Sequence, residues 1–280
     1  MWKQKIGISL GNNWDRPILQ VMQMIKGIGF DAVSPEWEKD VDMGAVVAAA
    51  REAGLEIQSL HAPFSKMNLL WQKDHTPTDY PMDGLFASLE VCKKHSIPVL
   101  VVHCWIGFEY EDVPNDIGFK NYGKLVERAA EYGISIAFEN TEGGEFLDGL
   151  MEHFIGNKNV GFCWDSGHEM CYNHSEDLLA KYGDRLLVTH LNDNLGISRF
   201  NGKTFWHDDL HLLPYDGIAD WDDNIRRLRA AKPLEILNFE LNRYSKPNRY
   251  DNDIYRKLTL EEYYTEAYKR ACRIAYRYEK

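Results

Sequence analysis

The chain has five cysteines, Cys92, Cys104, Cys163, Cys171 and Cys272, with no C-x-x-C pair among them. An odd number without that spacing gives neither a disulfide framework nor a thiolate zinc site, so they are read as reduced packing residues. No apolar run approaches the ~20 residues that span a bilayer, and the opening MWKQKIGISLGNNW holds too short an apolar segment for a secretory signal. The expectation is a cytoplasmic protein without membrane contact. Positive charge is in deficit, 32 Lys and Arg against 43 Asp and Glu, for a formal net charge of −11. Nucleic-acid binding needs a basic footprint, so that balance argues against such a partner. Low-complexity linkers and shifts in composition are also missing, which favours one domain spanning residues 1–280.

What is present is an alternation of β-type runs and amphipathic helical stretches. The runs are Lys5 to Leu10, Asp31 to Trp37, Glu56 to Phe64, Val99 to Trp105, Ile134 to Thr141, Val160 to His168, Leu186 to Asn194 and Leu234 to Asn242. Several are apolar on both faces, the habit of parallel strands covered by helices. Between them lie helical patterns such as PILQVMQMIKGIG, MGAVVAAAREAGL and FKNYGKLVERAAEYG, which end at Gly29, Gly54 and Gly133 as helix stops. Eight units in 280 residues, about 35 residues each, predict an α/β fold closed as a (β/α)8 TIM barrel. An open doubly wound sheet is the competing architecture, but no G-x-G-x-x-G follows the first strand.

Metal-competent residues recur where the apolar runs end: His61, His103, Glu139, Asp165 with His168, His190, then Asp209 and His211 in the loop that follows, and Glu240. In a parallel barrel the carboxyl ends of all strands share one face, so these nine side chains are expected to converge. Singly, a histidine after an apolar run is more often a core or capping residue, and Glu139 in ENTEGGEF could cap the next helix. Their joint recurrence points to a site. Four carboxylates there repel one another, about 4 kcal/mol per pair ~4 Å apart at an effective dielectric near 20, and call for protons or a cation. Glu36, His95, His174 and His207 lack such support and are read as surface, capping or loop residues. The segments Lys66 to Tyr80 and Asn194 to Asp216 are long for βα connections and are expected to wall or cover a pocket. Phe200, Phe205, Trp206 and Tyr215, with Phe108 and Tyr110 after Trp105, form an aromatic rim suited to sugar-like or aromatic ligands. The same rings would equally close the barrel mouth or bury a homo-oligomer contact.

The phrases FENT, WDSGH, THLNDN with DDLHLLPYDGIADW, and FEL, in this order, make the chain resemble the xylose isomerase-like barrels. That group holds sugar phosphate isomerases and epimerases, ketose 3-epimerases and nucleases of the endonuclease IV type. Resemblance to the single-metal epimerases implies one divalent ion, manganese first and magnesium or zinc as alternatives, on Glu139, Asp165, His190 and Glu240. It implies Glu139 and Glu240 as the acid/base pair that moves a proton next to a carbonyl, and His168 as a contact to a substrate hydroxyl. His61, His103, Asp209, His211 and Trp105 are read as further substrate contacts. The same proton abstraction in a lyase would expel the leaving group of a keto-glycoside. Resemblance to the nuclease branch would instead place three zinc ions on the nine positions and abasic DNA in the site. The acidic loop GFEYEDVPNDIGF after His103 opposes that branch. Some ketose epimerases carry arginine six residues after the position of His190. Gly196 stands there in this chain, with Arg199 and Lys203 as the nearby cations.

Overall fold

In the computed structural model, the described residues are 4–11, 14–73, 81–198 and 202–280. The strands are β1 (Lys5–Leu10), β2 (Ala32–Pro35), β3 (Glu56–Ile57), β4 (Leu60–His61), β5 (Val99–His103), β6 (Ser135–Glu139), β7 (Val160–Asp165), β8 (Leu186–His190) and β9 (Ile236–Phe239). The helices are α1 (Ile18–Ile28), α2 (Met43–Glu52), α3 (Met82–His95), α4 (Asp116–Tyr132), α5 (Gly144–His153), α6 (Ser166–Cys171), α7 (Leu178–Tyr182), α8 (Trp221–Ala230) and α9 (Leu260–Glu279).

All strand pairs are parallel, in the orders β3-β2-β1-β9 and β4-β5-β6-β7-β8. Two seams join these arcs into a closed barrel. At one, Trp37 N donates to His61 O (2.8 Å) beside a Glu36–His61 bridge. At the other, Leu191 N donates to Asn238 O (2.9 Å) and Glu240 N to Leu191 O (3.2 Å). The TIM barrel read from the sequence is therefore the fold.

The third strand departs from expectation. It was expected as one run from Glu56 to Phe64, but β3 pairs only with β2 and β4 only with β5. Between them Ser59 turns into the barrel, where its hydroxyl donates to Ser34 (3.0 Å). The three helix-stop glycines hold left-handed φ values of 128°, 75° and 69° at Gly29, Gly54 and Gly133, where a Cβ would be strained. Alternation along the strands splits the apolar residues. Leu100, Val102, Ile136, Phe138, Phe162 and Trp164 join the main core with the helices, while Val101, Ala137, Cys163 and Val188 form a small separate cluster. No helix among the described residues is long and apolar enough to cross a membrane.

Candidate metal centre and its cavity

Glu139, the last residue of β6, is fully buried and is the hub of the site. It does not cap α5, whose N-cap is Gly143. Its Oε2 lies 3.1 Å from His61 Nε2 and 3.3 Å from His103 Nε2, while Oε1 lies 2.9 Å from His190 Nδ1 and 3.5 Å from His168 Nδ1. His190 Nδ1 also faces Glu240 Oε2 at 3.1 Å. Backbone carbonyls fix several rings: Nδ1 of His61, His168 and His211 donates to Ala62 O (2.7 Å), Asn140 O (2.9 Å) and Glu240 O (3.2 Å) respectively. Each therefore turns Nε2 toward a carboxylate. Asp209 Oδ1 receives two of these, 2.7 Å from His211 and 3.3 Å from His168. His211 holds this pose in a left-handed conformation (φ 46°), a strained backbone of the kind that accumulates at functional sites.

Asp165 ends β7 and caps α6: His168 N donates to its Oδ1 (2.6 Å), and Asn192 Nδ2 to its Oδ2 (2.9 Å). This places His168 on the first turn of α6 rather than on the strand expected from Val160 to His168, because the Asp cap starts the helix immediately. All nine sequence-predicted ligand positions come together at this end of the barrel. One ligand atom each from Glu139, Asp165, His190 and Glu240 lies within 4.8 Å of the others. Three further groups meet that test, His61 with His103 and Glu139, Glu139 with Cys163 and His190, and Asp165 with His168 and His211.

Charge crowding is met by protons in the metal-free arrangement. Burial opposes ionisation of Glu139, but His190, His103 and His61 outweigh it and hold the carboxyl well below its usual range. Burial likewise opposes Glu240, and His190 and His211 bring it to about 2. Asp165 moves up, through burial and the charges of Glu139 and Glu240. On the basic side burial is again overcome: Cys163, Glu240 and Glu139 raise His190 well above its ordinary value, and Asp209 raises His211 to about 9. His103 alone among these histidines is lowered, by burial. Three carboxylates and one imidazole within 4.8 Å, each held by protein hydrogen bonds or ion pairs, fit a hard divalent cation, and a cation would replace the stabilising protons.

Above this centre lies a cavity of 640 Å³, within the range of small-molecule sites. His61, His103, Glu139, His168, Asp209, His211 and Glu240 line it, whereas Asp165 and His190 lie behind them. Trp105, expected to touch substrate, does not line it. Its ring is buried and stacks on Phe146 at 4.1 Å and 5°. The aromatic rim is partly redistributed. Phe108 and Trp206 line the cavity, and Phe205 packs on Phe108. Tyr110 packs on Trp105 and Tyr215 on Trp221, while Phe200 and Arg199 lie outside the described residues. Of the segments Lys66 to Tyr80 and Asn194 to Asp216, residues 66–73, 194–198 and 202–216 are described, and among these described residues only Trp206, Asp209 and His211 line the cavity.

Four features escaped sequence reasoning. Glu36, read as a surface or loop residue, lines the cavity. Phe64 stacks on His103 at 4.8 Å. Glu142, two residues into the loop after FEN, accepts from Gly107 N (3.0 Å) and also faces the cavity. The cation of the lining is Lys246, 3.1 Å from Asp209 Oδ2, whereas Lys203 reaches Glu109 at 4.0 Å. The structural anchor of the THLNDN phrase is Asp193, fully buried. Its carboxylate accepts from Asn194 N, Ala219 N, Tyr215 N and Trp221 Nε1 at 2.8–3.0 Å.

A family model described as Xylose isomerase-like TIM barrel matches residues 22–267. A relative from Sinorhizobium fredii (strain NBRC 101917 / NGR234), Uncharacterized protein y4fM, is 26% identical over 306 aligned residues, covering 92% of this chain and 93% of its own. Among solved structures, the IolI protein with a bound zinc atom superposes with a TM-score of 0.73 at 18% identity, over 97% of this chain and 98% of its own. The 3-keto-D-glucoside 4-epimerase YcjR from E. coli gives 0.65 at 19% identity, over 96% and 100%. At such identities the two structures speak for the fold.

Proposed function

Because this chain belongs to the xylose isomerase-like TIM barrel family, we propose that it is a divalent-metal-dependent sugar isomerase or epimerase, with residues 1–280 forming one barrel domain around the site. The observation that carries the reading is the pair Glu139 and Glu240. Both carboxylates line a cavity of sugar-accommodating size, both face His190 Nδ1 at 2.9 and 3.1 Å, and both are held ionised. One takes the proton next to a substrate carbonyl and the other returns a proton on the opposite face. Glu139, Asp165, His190 and Glu240 would hold the ion, which when bound supplies positive charge to the developing enediolate oxygen. Manganese suits the three-carboxylate set best; magnesium and zinc are the alternatives, zinc being the ion of the IolI neighbour. His168, His211 and Asp209 present hydrogen-bonding groups to the substrate from one wall, His61 and His103 from another.

The test is exchange of the proton next to the carbonyl. Metal-loaded protein incubated with free ketoses or keto-glycosides in deuterium oxide incorporates deuterium at that carbon without change of skeleton. Glu139→Gln and Glu240→Gln lose the exchange by more than about 100-fold. Release of an aglycone in place of exchange would move the reading to a lyase acting on a keto-glycoside by the same proton abstraction. The additional ligand groups on His61 and His103, and on His168 and His211, support a second reading, a three-zinc abasic-site nuclease. Against it, the lining carries Glu36, Glu139, Glu142, Asp209 and Glu240 beside Lys246, a poor surface for a phosphate backbone. Three zinc ions per chain together with cleavage of an abasic duplex would overturn the sugar reading.

A further inference from the structure

The face that carries the metal centre holds a second hollow, of 820 Å³, beside the catalytic cavity. Its side chains are Phe108, Glu109, His174, Lys203, Thr204 and Phe205. They come from the connections that follow β5, α6 and β8, the elements that carry His103, His168 and His190. Phe108 lines both spaces, so the hollow adjoins the cavity across one ring. Ring contacts make the path between them continuous. Tyr172, on the cavity wall, lies 4.9 Å from the His168 ring and 5.9 Å from Phe108, and Phe108 lies 5.7 Å from Phe205. Lys203 Nζ, 4.0 Å from Glu109 Oε1, joins two of the walls. Glu109 and His174 hold left-handed backbone, φ 58° and 54°, a strain that accumulates at functional sites.

The chemistry of the lining names a ligand type. Phe108 and Phe205 are half-buried, with an exposed carboxylate and an exposed imidazole from Glu109 and His174 beside them and the hydroxyl of Thr204. Aromatic faces bordered by polar groups suit a ring with an apolar face and a hydroxylated edge. A free ketose in the 640 Å³ cavity leaves this hollow unused, whereas a glycoside has a second ring to place beyond Phe108. We propose that the hollow is a subsite for the aglycone ring of a keto-glycoside, whose reacting sugar lies in the metal-centre cavity while the aglycone rests on Phe108 and Phe205. The inference rests on the isomerase or epimerase reading and narrows its substrate class from free ketoses to glycosides of a phenol or a second sugar.

The experiment is titration calorimetry of the manganese-loaded, full-length protein with methyl β-D-glucopyranoside, 4-hydroxyphenyl β-D-glucopyranoside and cellobiose. At least one two-ring probe binds about tenfold more tightly than the methyl glycoside, and the larger gain tells a phenolic from a sugar aglycone. Phe205, which lines the hollow and not the cavity, is the residue to change. Phe205→Ala removes most of the gain, with manganese and methyl glycoside affinities unaltered, and Phe205→Tyr keeps it. The inference is overturned if neither two-ring probe gains over the methyl glycoside, if no probe binds, if Phe205→Ala leaves the gain intact, or if it weakens all three probes alike. The isomerase or epimerase reading fails separately, by absence of deuterium exchange from every keto sugar in a protein that shows the two-ring gain.

Discussion

Loading the site with a divalent ion should release a proton, and the pH dependence of metal affinity should show it. His190 Nδ1 sits 2.9 Å from Glu139 Oε1 and 3.1 Å from Glu240 Oε2, and these carboxylates with Cys163 raise its pKa well above 6.5 despite burial. At neutral pH the imidazole is therefore protonated in the metal-free protein, and it must lose that proton to offer a lone pair to an ion. One proton exchanged per ion changes the dissociation constant tenfold per pH unit, or about 1.4 kcal/mol, so affinity rises about 100-fold between about pH 6 and pH 8. Calorimetry in two buffers of different ionisation enthalpy counts the protons directly. Stability gives a second readout. The raised His190 contributes stability to the metal-free protein that is fully present below about 6.5 and lost as pH rises through the elevated folded value. The gap between Tm with manganese and Tm with a chelator should therefore widen above about pH 6.5, by roughly 2–4 °C per pH unit. A dissociation constant flat across this window, with heats independent of buffer, would refute both the protonated His190 and its place in the metal set.

Two further substitutions separate the centre from its scaffold. Asp193→Asn leaves one carboxylate position as an NH2 group pointed at N–H donors, since Oδ1 accepts from the Asn194 and Ala219 amides (2.8 and 3.0 Å) and Oδ2 from the Tyr215 amide and Trp221 Nε1 (2.8 and 2.9 Å). It should cost about 3 kcal/mol, read as a lower urea midpoint at unchanged m, and should release the loop that carries Asp209 and His211. Gly167→Ala places a Cβ 1.9 Å from Asn192 Oδ1, so Asn192 must leave Asp165 Oδ2. Metal affinity should fall about 10- to 100-fold, the usual cost of losing a group that orients a ligand; full affinity in this variant would show that Asn192 does not orient Asp165.

The site was legible in the sequence to the extent that topology alone converts it to geometry. Parallel strands put all their carboxyl ends on one face, so a ligand-type residue closing each apolar run was enough to bring His61, His103, Glu139, Asp165, His190 and Glu240 together. Where placement depends on something finer than the end of a run, the sequence was silent or misleading. Glu36 sits in PEWEKD, a polar phrase typical of a surface loop, and only the inward Ser34 beside Ser59 sets its direction. Trp105 follows His103 by two residues and would share its face on a continuing strand, yet the chain has left the sheet after β5, and Phe146 captures the ring. Lys246 reaches Asp209 from a loop 37 residues away in sequence, a pairing no local pattern encodes.

The number of ions and the charge of the substrate are one question in this centre. Glu139, Asp165, Asp209 and Glu240 bring four negative charges when ionised. One divalent ion on Glu139, Asp165, His190 and Glu240, with His168 and His211 still protonated beside Asp209, cancels them. Such a centre carries little net charge and suits an uncharged sugar. Three divalent ions would claim His168 and His211 as neutral ligands and leave a surplus of two positive charges in a buried space, which an anionic substrate would have to meet. The carboxyl groups of Glu36 and Glu142 on the cavity wall oppose that anion. Proton release on metal loading divides the cases, since one ion displaces the proton of His190, while three would also take up His61, His168 and His211 and displace further protons. A slope of one in log affinity against pH, with one ion bound per chain, is the joint result the single-ion centre requires.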